Sequence, residues 1–154
     1  MIKEAKDLVE TVLLENAATG LSLTKVVRNA AAEKQAVHER AHPFASLITA
    51  PGSFDNDTSG LRSFKSSSGI EKKYLRGEWS LPIQIRIWAK TEEDADSIVS
   101  AFMPFIPHRW AYQGIDGTVE IQRTEASDFA SAMSEQYVAA VVVVFTAAMA
   151  HQLS

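Results

Sequence analysis

The sequence predicts an α+β protein with an antiparallel sheet of about four to five strands and two main helices packed on one sheet face. Three patterns indicate this fold. Residues 79–88 alternate in the manner of a half-buried strand, and a helical apolar stripe follows directly after Thr91. Residues 136–145 are apolar at nearly every position, which is typical of a strand buried on both faces.

The alternating segment predicts the central strand. One face carries Trp79, Leu81, Ile83, Ile85 and Ile87, and the other carries Ser80, Pro82, Gln84, Arg86 and Trp88. We assign Trp79 to the core because it shares the parity of the isoleucines. Thr91 is expected to cap the following helix, whose buried stripe at i, i+3, i+4 and i+7 is Ala95, Ile98, Val99 and Phe102.

Length and composition indicate one ordinary globular domain over residues 1–154. The chain is 46% hydrophobic and 22% charged, with a net charge of −4 and no cysteine. This balance does not favour non-specific nucleic-acid binding, and disulfides and thiolate metal sites are excluded. The charged N-terminus lacks a secretory pattern, and no apolar run reaches the roughly 20 residues that span a bilayer. We therefore expect a soluble protein made without an export signal.

The N-terminal part predicts a helix over about residues 2–16, ending in a turn at Gly20. Its apolar face is formed by Ala5, Leu8, Val9, Val12 and Leu13. Residues 21–36 are ambiguous, since Val26 and Val27 favour a strand whereas Ala30 to Ala36 favour a helix. Both interpretations stay open from sequence alone.

A short strand is expected over residues 43–49, followed by a long polar loop over about residues 53–69. Serine, asparagine, aspartate and glycine dominate this segment and compete with regular structure through local hydrogen bonds. We predict a flexible loop that orders on assembly, with its polar and basic positions at Ser59, Ser66, Ser67, Ser68, Lys72 and Lys73.

The C-terminal half predicts a short strand at residues 110–112, an Asp-Gly turn and a strand beginning at Val119. If both main helices cover one face of the sheet, the other face remains apolar and free. An uncovered apolar face indicates a partner surface. We assign this role to residues that combine aromatic, arginine and amide side chains: Gln84, Arg86, Trp88, Trp110 and Tyr112.

The strongest catalytic pattern is His38-Glu39-Arg40-Ala41-His42, which matches the H-E-x-x-H zinc motif. On a helix, the two histidines would bind zinc while Glu39 activated a water. However, Pro43 disfavours helical geometry at His42, and no suitably spaced third ligand follows. We therefore expect no enzyme activity, metal or cofactor, and keep a zinc hydrolase only as the weakest alternative.

The order of these features resembles the tail terminator proteins of long-tailed bacteriophages and prophages, also called neck terminator or tail-completion proteins. The resemblance extends from Pro43 onward over most of the chain. It is carried by the early strand and the polar loop, and by the segments 74–89, 91–95, 110–114, 125–129 and 134–145.

The resemblance implies a structural virion assembly protein that forms a hexameric ring on the tail tube. Its implied partners are other copies of itself, the tail tube protein and a head-completion or connector protein, with DNA only as passing cargo and no membrane. It also implies a location at the tail–head junction of the virion, after assembly in the host cytoplasm. The alternative is another small α+β binding module, or a phage structural component that forms a dimer.

Overall fold

A long pair of antiparallel strands organises the fold. The computed structural model describes residues 1–56, 61–66, 69–127 and 136–152. The three helices are α1 (Ile2–Glu15), α2 (Ala30–His38) and α3 (Glu92–Phe102), and a 3₁₀ turn follows at Met103–Phe105. The strands are β1 (Val26–Val27), β2 (Phe44–Thr49), β3 (Ser53–Asn56), β4 (Leu61–Ser66), β5 (Gly69–Ala89), β6 (Arg109–Tyr112), β7 (Ile115–Ser127) and β8 (Tyr137–Gln152).

The eight strands form one sheet in the order β1-β2-β5-β8-β7-β6, and β3 and β4 also pair with β5. The pairing of β1 with β2 is parallel, whereas the other ladders are antiparallel. β2, β3 and β4 follow one another along one edge of β5, opposite residues 83–88, 77–80 and 69–74. The other edge of β5 pairs with β8 from Lys73 to Ala89. Overall, the predicted α+β class is confirmed.

The main core lies between one sheet face and the helices α1 and α3. In register, Ile83 is opposite Val143 and Ile85 is opposite Val141, and all four residues are 0% exposed. α1 contributes Val9 and Leu13, which agrees with its predicted apolar face, and α3 contributes its predicted stripe. Thr91 caps α3 as expected, since its hydroxyl oxygen accepts a 3.2 Å hydrogen bond from the Asp94 amide.

The sheet has more strands than predicted, and the expected long loop is wrong over most of its length. Residues 53–56 and 61–66 form β3 and β4 because β5 begins at Gly69 and offers its edge for pairing. Ladder formation therefore overrides the weak strand propensity of serine and aspartate. Of the predicted loop positions, Ser66 ends β4, whereas Ser59, Ser67 and Ser68 lie outside the described residues.

The ambiguous segment 21–36 contains both elements that its sequence favours. Val26 and Val27 form β1 beside Ala45 and Ser46. α2 follows, capped by Asn29, whose side-chain oxygen accepts a 2.8 Å hydrogen bond from the Ala32 amide. Within the described residues, no helix is both long and apolar enough to span a membrane.

An Ile85→Ala substitution tests the position of the main core. Ile85 is 0% exposed, so the change should lower the free energy of unfolding by about 2–5 kcal/mol through lost burial and a residual cavity. Ile121→Ala is the matched control, because Ile121 is 42% exposed in β7 and should cost about 1 kcal/mol or less. Urea unfolding of both variants provides the comparison, and equal losses would contradict this core.

Candidate assembly surfaces

Helix α2 covers the end of the sheet face that was predicted to be free. Trp88 is 7% exposed and packs with Phe44, Ala36 and Val138. The rings of Trp88 and Phe44 stack with centroids 5.9 Å apart. The prediction that Trp88 is an exposed interface residue is therefore wrong, because a third helix packs on this face and buries it.

The buried carboxylate of Glu33 fixes α2 to the sheet. Its Oε1 accepts a 2.7 Å hydrogen bond from Arg86 Nη1, and its Oε2 accepts a 3.2 Å bond from Trp88 Nε1 and another from the Ser46 hydroxyl. Gln84 Oε1 accepts from Arg86 Nε at 2.7 Å. A buried carboxylate is tolerated when it is paired and hydrogen-bonded in this way. Arg86 and Gln84 are thus engaged within the chain.

The middle of the same face remains only partly covered. Ile48, Pro82, Gln84 and Val144 keep part of their surface exposed. Their register is continuous, since Ile48 lies opposite Gln84 and Pro82 lies opposite Val144. We call these four residues the open sheet face. It retains Gln84 from the predicted interface and excludes Trp88.

Trp110 belongs to the main core, so its predicted role at an interface is wrong. It is 6% exposed, and its Nε1 donates a 2.7 Å hydrogen bond to the carbonyl of Thr146. Its ring meets Phe145 edge-on with centroids 5.0 Å apart. Tyr112 is half-buried, and its hydroxyl lies 3.3 Å from the N-terminal ammonium, which donates to it.

An apolar groove of about 450 Å³ lies beside Tyr112, and we call it the Trp79 groove. Its apolar lining is formed by Met1, Ile2, Trp79, Leu81, Tyr112 and Met149. Trp79 is 37% exposed and packs edge-on against Phe54, so its assignment to the core is wrong. The alternation placed Trp79 on the same face as Leu81, but its side chain lines an open groove instead of the closed core.

A second groove of about 270 Å³ runs between α3 and the strands β7 and β8, and we call it the α3 groove. Glu92 and Asp96 form its acidic rim, and both are exposed. Its apolar wall includes Val99, Met103 and Tyr137. The groove therefore combines negative charge at its edge with apolar surface inside. Periodicity identified the buried stripe of α3 but gave no indication of this neighbouring groove.

The H-E-x-x-H segment does not form one helical turn. α2 ends at His38, Glu39 is its C-cap, and Arg40 has a positive φ of 53°. Glu39 is engaged with Lys25 Nζ at 3.1 Å and with Gln35 Nε2 at 2.7 Å. In the described part of the chain, no group of three or more His, Asp or Glu side chains is placed to hold a metal ion.

The basic residues predicted to border the flexible loop belong to a hairpin. Lys72 and Lys73 lie within β5, paired in register with Ser63 and Arg62 of β4. Lys72 and Lys73 are thus strand residues and not part of a loop.

A Glu33→Gln substitution tests the anchor of α2. It removes the negative charge that Arg86 faces, so we expect the free energy of unfolding to fall by about 2 kcal/mol or more. Glu39→Gln is the matched control, because Glu39 is exposed and solvent screens its ion pair with Lys25, so this change should leave the free energy of unfolding nearly unchanged. Chemical denaturation at neutral pH measures both, and a neutral effect at Glu33 would contradict the anchoring role.

A metal titration tests the zinc alternative. Because α2 ends at His38, the wild-type chain and a His38→Ala variant should bind zinc equally weakly and without stoichiometry. Elemental analysis after dialysis against zinc provides the measurement. One tightly held zinc per wild-type chain, lost in the variant, would restore the zinc hydrolase interpretation.

Comparison with known proteins gives no match: neither a protein-family model nor a curated protein matches the chain.

Proposed function

We propose that this protein is a structural assembly protein of the tail-terminator type, which forms a ring through contacts between copies of itself. The ring caps a phage tail tube, stops its growth and presents a surface to a head-completion protein. In this proposal the protein is part of the virion at the tail–head junction, assembled in the host cytoplasm, and the order of sequence features supports it.

The open sheet face is the observation that carries the proposal. Ile48, Pro82 and Val144 form a partly exposed apolar strip on a regularly paired sheet, and Gln84 offers an amide at its edge. Apolar surface rimmed by polar groups is typical of protein–protein contacts. The sheet presents this strip beside α2, so a neighbouring subunit contacts it without unfolding any element.

The charge of the chain supports a role for DNA as passing cargo. The net charge is −4, which disfavours tight, non-specific attachment to phosphates. DNA can slide through a ring only if the ring binds its phosphates weakly.

A second candidate is a small binding module that forms a dimer. The Trp79 groove favours it, because an apolar groove of about 450 Å³ with an exposed tryptophan is large enough for a small apolar ligand. Oligomer size and tail-tube activity separate the two candidates, since a dimeric ligand-binding module predicts neither a six-subunit mass nor control of tube length.

A pair of glutamate substitutions tests the open sheet face. In an Ile48→Glu, Val144→Glu variant, charges enter a strip that the proposal buries between subunits. Association should weaken by about 2 kcal/mol or more while the monomer stays folded. Native mass spectrometry follows the species of six times 16.9 kDa, and electron microscopy follows tube length when the protein is added to polymerising tail tubes.

Leu14→Glu is the matched control, because Leu14 is 57% exposed on α1, away from this strip. It should leave both ring formation and tube length unchanged. A wild-type chain that neither oligomerises nor shortens tubes would contradict the proposed function. A double variant that assembles like wild type would remove the open sheet face from the interface.

A further inference from the structure

Helix α2 brings little apolar surface of its own to the sheet. Of its nine residues, only Glu33 and Ala36 are buried. The residues beneath it are larger, since Phe44 is 0% exposed, Trp88 is 7% exposed and Val138 completes the cluster. Burial energy follows the apolar area removed from water, and α2 supplies one fully buried alanine to this contact. Apolar packing therefore contributes only part of its attachment.

Polar contacts supply the rest of the attachment. The carboxylate of Glu33 accepts its three hydrogen bonds from residues of the sheet. Gln136 is 0% exposed and donates from Nε2 to the carbonyl of Val37 at 3.1 Å, and its Oε1 has no hydrogen-bond partner in the described part of the chain. A buried ion pair offsets its own desolvation only while both partners stay in place, and an unpaired buried acceptor raises the free energy of the closed arrangement. The attachment of α2 thus depends on a few directional bonds that break together.

The chain on either side of α2 is held independently. Before the helix, Arg28 Nη2 contacts Asp7 at 2.7 Å and Glu10 at 2.5 Å, and both acids belong to α1. After the helix, the Pro43 carbonyl accepts a 2.8 Å hydrogen bond from the Thr24 amide, directly before β2 begins. Neither anchor uses the sheet face beneath α2. The helix can therefore move away as one unit while α1, β1 and β2 keep their places.

The covered residues continue the open sheet face. Phe44 and Ile48 are an even number of residues apart on β2, as are Trp88 and Gln84 on β5, so each pair lies on one side of its strand. The register places Phe44 opposite Trp88 and Ile48 opposite Gln84, with Arg86 between them along β5. Movement of α2 would therefore join the covered aromatic residues to the open sheet face in one longer strip.

We infer that α2 is a displaceable cover, and that a second copy of this chain binds the longer strip when the helix moves away. The inference deepens the proposed ring-forming function and rests on it. A second copy is the occupant because the strip is continuous with the face where that function places the contact between subunits. Aromatic and arginine side chains at the centre of a contact contribute most to association. A partner that binds only the open form is limited by the population of that form, so α2 keeps free subunits apart.

Thiol labelling tests the movement of α2 itself. The chain has no cysteine, so Ala36→Cys places a single thiol on the buried side of α2, and Ala45→Cys places one in the main core. Both positions are 0% exposed. The Ala36→Cys thiol should react with the reagent DTNB at least about tenfold faster than the Ala45→Cys thiol, because local opening needs no global unfolding. Urea should accelerate the Ala45→Cys reaction steeply and the Ala36→Cys reaction only slightly, since local opening exposes little surface.

Sedimentation of a Glu33→Gln variant tests the link to assembly. The change weakens the closed form, so it should raise the open fraction and strengthen association at least about tenfold relative to wild type. Ile85→Ala is the matched control, because it also lowers stability but lies in the main core on the other sheet face. It should leave association unchanged. Circular dichroism confirms that all variants fold.

Equal labelling of the two thiols would overturn the movement of α2 while leaving ring formation intact. Faster labelling of the Ala36→Cys thiol would overturn the role of α2 in assembly if Glu33→Gln associates no more tightly than wild type. The same holds if Ile85→Ala strengthens association equally. Wild-type and Glu33→Gln chains that both stay monomeric and fail to shorten tail tubes would overturn the proposed function and the assembly role together, whatever the labelling rates.

Discussion

The ladder between β5 and β8 is the interaction on which the rest of the structure depends. It runs from Lys73 to Ala89 on one strand and from Tyr137 to Gln152 on the other. On one face of this ladder, isoleucines and valines pack against α1 and α3. The free edge of β5 pairs with β2, β3 and β4, and the free edge of β8 pairs with β7. Two glycines allow the close approach of neighbouring elements. A Cβ at Gly77 would overlap the carbonyl oxygen of Asp55, and one at Gly117 would overlap that of Thr146.

Helix α2 is held on the sheet by polar contacts as well as by apolar packing. Its buried contact surface centres on Ala36 and the carboxylate of Glu33, which bonds to the sheet residues Arg86, Trp88 and Ser46. Directional bonds fix the position of a short helix that has little apolar surface of its own. This arrangement limits the free part of the second sheet face to its middle. The extent of the open sheet face is therefore set by α2 as well as by the strands.

Periodicity predicted the parts of the fold that rest on local patterns. The alternation around Ile83 and Ile85 and the capped stripe after Thr91 both appear as expected, because burial of one face fixes the register of side chains. It could not predict β3 and β4, since their strand structure depends on the edge that β5 offers rather than on their own residues. The face of Trp88 was predicted correctly, but its burial depends on Glu33, 55 positions away in the sequence. The α3 groove forms between α3 and residues of β7 and β8 that are distant in the sequence, so periodicity alone could not locate it.

The open sheet face lies in the middle of the sheet, and the proposed function places the contact between copies of the chain there. The most direct test is electron microscopy of tail tubes assembled with and without the wild-type protein. The proposed function predicts a six-fold ring at the end of each tube and tubes of uniform length. Bare tube ends and an unchanged spread of lengths, with the protein present and folded, would contradict it.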